Sequence, residues 1–252
     1  MCGTCGCSES GQRSTAVDES VGTVDGRRTV RLEQRVLAKN DRFAAANRAW
    51  LRDRVVLAVN LMSSPGAGKT TLLERTVREL GPALPFRVVE GDQETPLDAD
   101  RLRATGCPVV QINTGTGCHL DAEAVGDALR SLRPPERSVV FVENVGNLVC
   151  PALFDLGEHR RVVIASVTEG EDKPLKYPHM FRAADLVLLN KVDLLPHLDC
   201  EVGAFTAHAA RVNPSIGVLP VSATTGEGLA RWYDWLRGEV DAVPGEPSAA
   251  GR

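Results

Sequence analysis

Asn60-Leu61-Met62-Ser63-Ser64-Pro65-Gly66-Ala67-Gly68-Lys69-Thr70-Thr71 follows the apolar run Val55-Val56-Leu57-Ala58-Val59 and leads into the helix-like segment Leu72 to Leu80. An apolar strand running through small residues into Gly-Lys-Thr-Thr has the order of a phosphate-binding loop. Its backbone N–H groups, from Gly66 and Ala67 through Gly68 to Thr71, are expected to cradle phosphates. Lys69 would reach the β/γ oxygens and the Thr70 hydroxyl would ligate Mg²⁺. The strict pattern places a Gly at position 63, where this chain has Ser63. That predicts a different lead-in turn, shaped by Pro65 and Gly66.

Downstream, strand-like apolar runs alternate with helix-like segments: Phe86 to Glu90, Val109 to Ile112, Val139 to Glu143, Val162 to Val167, Leu186 to Asn190 and Ile216 to Val221. This is the pattern of an α/β protein of the P-loop NTPase kind, a mostly parallel twisted sheet with helices on both faces. Ligands in such sheets collect at the carboxyl ends of the strands. Asp92, just past the second run, is therefore a candidate to hold Mg²⁺ through water or to orient an attacking water. Glu143 ends the fourth run, and Glu143-x-x-Gly146 resembles the Asp-x-x-Gly of GTPases, in which the carboxylate serves Mg²⁺ and the Gly senses the γ-phosphate.

Asn190-Lys191-Val192-Asp193 after the sixth run reads as a guanine-recognition motif. The Asp193 carboxylate would accept from guanine N1–H and the 2-amino group, donors that adenine lacks. Ser222-Ala223 after the last run resembles the loop that contacts guanine O6. Lys69, Asp92 and Glu143 are thus the expected catalytic groups of a nucleotide hydrolase.

Seven Cys, three of them at Cys2, Cys5 and Cys7, do not form a disulfide pattern. Three thiolates with the α-amino group beside Cys2 offer a soft S₃N set suited to Ni²⁺, Zn²⁺ or Cu⁺, and most readily to square-planar Ni²⁺. Polar residues Ser8 to Arg28 read as a flexible tether. Cys118 and His119, placed at the start of an expected helix Leu120 to Leu132, would form a second soft site if Cys150 lies near them. A helix start would also lower the Cys118 thiol pKa. Val30 to Leu51 reads as one or two helices packing on the main domain. His159, His179, His197 and His208 show no ligand spacing, and Trp232, Tyr233 and Trp235 read as packing residues.

The net charge of −4 carries no basic face for nucleic acid. No stretch approaches the roughly 18 apolar residues of a membrane span, and no signal pattern opens the chain. A cytoplasmic protein without nucleic-acid or membrane partners is expected.

With the thiol cluster, SSPGAGKTT, EGDQET, GTGCHLDA, ENVGNLVCP, NKVDLLP and SATTGEG in this order, the chain resembles the HypB family of hydrogenase nickel-insertion GTPases, of the SIMIBI class. The match covers the first seven residues and Val30 to Leu236. The resemblance implies a slow GTPase, binding GTP or GDP with Mg²⁺, that dimerises with nucleotide and metal. It also implies a tight Ni²⁺ site at Cys2, Cys5 and Cys7, and a second Zn²⁺ or Ni²⁺ site at Cys118, His119 and Cys150 near the dimer interface. The implied partners are a HypA-like metallochaperone, a SlyD-like chaperone and the [NiFe]-hydrogenase large-subunit precursor.

Two other readings remain open. One is a nickel or zinc buffer whose nucleotide only switches assembly. The other is a urease-type nickel GTPase resembling UreG, which the N-terminal thiols and the long extension disfavour. The expected organisation is 1–29 as metal-binding segment and linker, 30–240 as GTPase domain with a helical extension, and 241–252 as a disordered tail.

Overall fold

The computed structural model describes residues 23–92, 95–115 and 117–244. Cys2, Cys5 and Cys7 lie outside the described residues. The strands are β1 Leu57–Ser63, β2 Phe86–Asp92, β3 Val109–Asn113, β4 Val139–Glu143, β5 Arg160–Ser166, β6 Leu186–Asn190 and β7 Gly217–Pro220. They form one sheet in the order β3-β2-β4-β1-β5-β6-β7. Every neighbouring pair is parallel. Parallel strands need crossovers, and these are supplied by α2 Lys69–Leu80, α3 Leu97–Arg103, α4 Ala122–Leu132, α5 Lys173–Lys176, α6 Pro178–Ala183 and α7 Val202–Val212. α1 Thr23–Arg52 precedes the sheet and α8 Leu229–Ala242 follows it.

Because both faces are covered, the central strands are apolar along their whole length and not in alternation. On one face Val59, Leu61, Val88 and Phe141 meet α2 and α8 through Leu73 and Trp232. On the other, Ala58, Val140 and Val142 pack with Leu51 of α1 and Leu129 of α4. Met62, Val163 and Leu189 pack with Phe181 and Phe205 further along the same side. Trp232 is fully buried, stacks on Trp235 at 5.3 Å and donates from Nε1 to Thr76 Oγ1 at 3.0 Å, so these aromatics are packing residues. No helix among the described residues is long and apolar enough to cross a membrane.

α1 is a single 30-residue helix. It begins at Thr23, inside the stretch 1–29 expected as linker, and α8 runs through Ala242, past the expected domain end at 240. Two buried amides fix α1 to the domain. Asn47 Nδ2 donates to Ala122 O at 2.7 Å and Leu156 O at 3.0 Å. Asn40 accepts from Ala122 N at 2.9 Å and donates to Asp155 O at 2.7 Å. The polar composition of Ser8 to Arg28 is what reads as linker across the start of this helix.

His159 completes the edge of β1. Its backbone N–H donates to Ala58 O at 2.9 Å, and its Nδ1 accepts from Ala58 N at 3.1 Å. Burial, then the Arg48 and Arg160 charges, lower its pKa from 6.5 to about 4. The folded state therefore holds a neutral ring, while the unfolded chain binds a proton below pH 6.5. The sign follows: stability is full above pH 6.5 and is lost as pH falls toward 4, by up to about 3 kcal/mol. Denaturant titrations from pH 7 to 4 should show this loss, and His159→Gln should remove most of the slope across that window.

Candidate nucleotide and metal sites

Ser63 ends β1 with its side chain fully buried. Its Oγ donates to Ser64 O at 2.6 Å and accepts from Lys69 Nζ at 2.8 Å. The residue that departs from the strict motif thus caps the lysine. Burial pushes the Lys69 pKa down, against the opposing charges of Glu143, Asp98, Glu90 and Asp92. Gly66 and Gly68 take positive φ, 76° and 97°. Glycine at 68 has a second reason, since a Cβ there would lie 2.5 Å from Asn190 Nδ2.

The loop is held from three directions. Asn190 Nδ2 donates to Ala67 O at 2.9 Å, and Lys191 Nζ donates to Gly66 O at 2.7 Å. The Ser64 hydroxyl donates to Glu169 at the end of β5. A cavity of about 530 Å³ opens over the loop, lined among others by Lys69, Thr70, Thr71, Asp92, Arg101 and Gly146.

Thr70 Oγ1 donates to Glu143 Oε1 at 2.7 Å, while Glu143 Oε2 is buried with no partner. Burial pushes the Glu143 pKa up, opposed by Lys69 and the Thr70 bond. A hydroxyl and a carboxylate with an orphaned oxygen, beside a phosphate loop, are a donor set that fits Mg²⁺. Asp92 Oδ2 accepts from Thr95 N at 3.1 Å and Thr95 Oγ1 at 2.8 Å, so the carboxylate is presented by its own turn. Gly146 packs on Pro65, where a Cβ would come within 3.2 Å of Pro65 backbone atoms.

Glu90 is a residue that the sequence reading passed over. It pairs in register with Glu143, is 2 % exposed, and leaves Oε2 buried without a partner. Burial first, then Glu143, push its pKa up to about 8. The signal was present, since Glu90 and Asp92 alternate at strand period on one face at the end of an apolar run.

At the base end, Asp193 Oδ1 is buried with no hydrogen-bond partner, which is what a carboxylate shaped to receive two base donors leaves behind. The Ala223 N–H donates to Asn190 Oδ1 at 3.0 Å. Ser222 Oγ accepts from Thr225 N at 3.0 Å, which folds the loop on itself. Arg75, reaching over from α2, donates through Nη1 to Ala223 O at 3.1 Å and Thr224 O at 2.8 Å. Asn190 thus joins the phosphate loop to the base loop.

Cys118, His119 and Cys150 converge. Their ligand atoms lie within 4.8 Å of one another, with Cys118 Sγ 2.8 Å from Cys150 Sγ and 3.6 Å from His119 Nδ1. His119 stacks on Phe154 at 3.8 Å, and burial lowers its pKa, favouring the neutral ring that can offer a lone pair. Two thiols and an imidazole suit Zn²⁺ or Ni²⁺ and leave room for a further ligand. One expectation fails here. The helix begins at Ala122 with Asp121 as its cap, accepting from Ala124 N, so Cys118 is not at a helix start and gains nothing from the helix dipole.

A phosphate loop at the end of the central strand, a carboxylate facing its threonine and the unpaired Asp193 carboxylate just past β6 define a P-loop nucleotide-binding protein. The sequence profile of the CobW/HypB/UreG nucleotide-binding domain matches residues 57–220. The chain is 59 % identical over 224 residues to the hydrogenase maturation factor HypB of Azotobacter vinelandii, covering 86 % of this chain and 74 % of that protein. The crystal structure of HypB from Archaeoglobus fulgidus superposes with a TM-score of 0.76 at 41 % identity, over 81 % of this chain and 100 % of that one. HypB from Helicobacter pylori in complex with nickel gives 0.76 at 35 % identity, over 84 % and 99 %. The chain belongs to the HypB family of hydrogenase maturation factors.

Gly68→Ala tests the loop geometry. Positive φ at a non-glycine residue costs about 1–2 kcal/mol and the Cβ displaces Asn190, so denaturation should show at least that loss. Nucleotide titration should show affinity falling by an order of magnitude or more.

Proposed function

We propose that this chain is a GTP-hydrolysing nickel metallochaperone that delivers nickel to the [NiFe]-hydrogenase large-subunit precursor. One observation carries the reading. The soft cluster Cys118, His119 and Cys150 takes a ligand from the same loop that leaves β4 at Glu143, the partner of Thr70. A cargo metal and a nucleotide would then share one moving segment.

In this reading the N–H groups of Gly66 to Thr71 hold the phosphates, and Lys69 leaves Ser63 for the β/γ oxygens. Thr70 and Glu143 would hold Mg²⁺, which supplies charge neutralisation at the transferring phosphoryl group. Asp92 orients the attacking water. Asp193 selects guanine, with the base loop of Ser222 and Ala223 held by Asn190 and Arg75. Gly146, packed on Pro65, shifts when a γ-phosphate enters.

Cys2, Cys5 and Cys7 are the tight Ni²⁺ site, and Cys118, His119 and Cys150 the inner site for Ni²⁺ or Zn²⁺. Exposed Val149 and Leu153 flank Cys150 and suit the apolar contact of a nucleotide-dependent homodimer. A HypA-like protein, a SlyD-like chaperone and the hydrogenase precursor are the remaining partners, all met in the cytoplasm.

The reading is tested by adding Ni²⁺-loaded protein to nickel-free hydrogenase precursor. Hydrogenase activity should appear with GTP and fail with a non-hydrolysable analogue or with Lys69→Ala. Equal maturation with the analogue would instead make the protein a nucleotide-switched carrier. Base selection is read separately, since Asp193→Asn should lower GTP affinity by about a hundredfold or more and raise affinity for xanthosine triphosphate, whose C2 carbonyl can accept from the new amide.

Cys150→Ser should weaken inner-site Zn²⁺ binding by at least about tenfold and leave guanine nucleotide affinity within about twofold.

A further inference from the structure

Cys150 is tied to Glu143 by the chain itself, but Cys118 and His119 lie on a different loop, between β3 and α4. A nucleotide signal that reached Cys150 alone would move one ligand away from two fixed ones. The structure contains a second tie. Asn144, next to Glu143, is 1 % exposed, and its Oδ1 accepts two N–H groups, Leu120 N at 3.2 Å and Val145 N at 3.0 Å. Leu120 directly follows His119. Val145 directly precedes Gly146, which packs on Pro65 of the phosphate loop.

Asn144 is itself held. Its backbone N–H donates to Leu61 O at 3.1 Å, and its Nδ2 donates to the buried Asn60 Oδ1 at 3.3 Å. Asn60 Nδ2 in turn donates to Glu158 Oε1 at 3.3 Å. Each amide is thus oriented, and Asn144 Oδ1 points at the two loops.

A separate contact reaches the same residue from the other catalytic strand. Leu120 is buried, and a Cβ on Gly91 would lie 2.8 Å from its Cδ2 and Cγ and 2.9 Å from its Cδ1. Gly91 sits between Glu90 and Asp92. Leu120 is therefore bonded to the residue beside Glu143 and packed on the residue beside Asp92.

We infer that Asn144 is a positioning residue that transmits nucleotide state to the inner metal site. When Gly146 and Val145 move with the γ-phosphate, the shared Oδ1 is drawn with Val145, and its 3.2 Å bond to Leu120 N shifts or weakens with it. Cys118 and His119 then rearrange together with Cys150. The inference rests on the reading that nucleotide and metal occupancy are coupled, and the test separates the two.

The probe is Zn²⁺, titrated by chelator competition into reduced, full-length protein carrying Cys2, Cys5 and Cys7→Ala, with GDP or with a non-hydrolysable GTP analogue. With Asn144 intact, the two Zn²⁺ dissociation constants should differ by about fivefold or more. Asn144→Ala should bring that ratio to within about twofold of one, with nucleotide affinity unchanged. Asn144→Ser keeps a neutral hydroxyl acceptor beside the Leu120 and Val145 N–H groups, without burying a charge next to Glu143, and should retain a larger ratio than Asn144→Ala. It also serves as the informative variant if Asn144→Ala does not fold.

Hydrogen exchange at the Leu120 amide gives a readout that a purely structural asparagine would not move. Exchange should change on swapping GDP for the analogue in the intact protein and become insensitive to nucleotide in Asn144→Ala. A retained ratio in Asn144→Ala, or a ratio in Asn144→Ser no larger than in Asn144→Ala, would overturn the role of Asn144 alone. Equal Zn²⁺ affinity in both nucleotide states with Asn144 intact would defeat the coupling reading, and the inference with it.

Discussion

The amide of Asn190 is the junction on which the nucleotide site depends. The phosphate loop leaves β1 and the base loop leaves β7, with β5 and β6 lying between these strands in the sheet. Sheet pairing places the strand ends and Arg75 ties the base loop to α2, but a buried side chain must join the two loops directly. Asn190, 2 % exposed, does so by donating to Ala67 O and accepting from Ala223 N. Both ends of the amide are used, so a buried polar group is satisfied and two loops acquire one geometry. An aspartate would lose the donor, and a leucine would leave a carbonyl and an N–H unpaired. The glycine at 68 follows from the same contact, because the space a Cβ needs is already filled by the Asn190 amide. Lys191 adds the third restraint from a left-handed conformation, φ 64°, that turns its Nζ back to Gly66 O.

The sheet was legible because burial on both faces writes each strand as a short continuous apolar run. The strand-end motifs were legible because ligands gather where those runs stop. The metal cluster was legible only in part. Cys150 is 32 positions from Cys118, and its convergence with Cys118 and His119 depends on the loops that follow β4 and β3 meeting at the carboxyl end of the sheet, which spacing does not encode.

What the sequence hid was tertiary. Asn40 and Asn47 hold α1 by bonds to residues more than seventy positions away, which a helical pattern does not reveal. Ser63 looked like a missing glycine and is a partner for Lys69. Glu90 looked like one more charge at the end of a strand, and its burial beside Glu143 appears only once β2 and β4 are paired. The misplaced start of α4 has a plain cause: Asp121 is a better cap than anything near Cys118, and the turn before it belongs to the soft ligands.

Glu90, Asp92 and Glu143 set the electrostatic character of the phosphate end. Anionic phosphates approaching three carboxylates would be repelled unless protons or cations balance them. Burial raises the pKa of Glu90 to about 8, so a proton on that carboxylate meets part of the demand, and burial moves the pKa of Glu143 upward as well. Lys69 meets another part. Its own pKa is pulled down by burial, which makes its charge depend on those same carboxylates. In such a site a divalent ion arriving with nucleotide would compete with protons for the carboxylates as the phosphates engaged the lysine.

The same edge of the sheet then explains why a soft-metal cluster belongs to this fold. β4 carries Glu143 out to the loop that ends in Cys150, and the β3–α4 loop beside it carries Cys118 and His119. Their meeting point lies one buried leucine away from Gly91 and one hydrogen bond away from Asn144. Close packing makes such an arrangement respond in steps, since neither the Leu120 contact nor a shared acceptor can stretch gradually. The soft ligands and the strand-end carboxylates are thus joined by short, buried paths through Leu120 and Asn144.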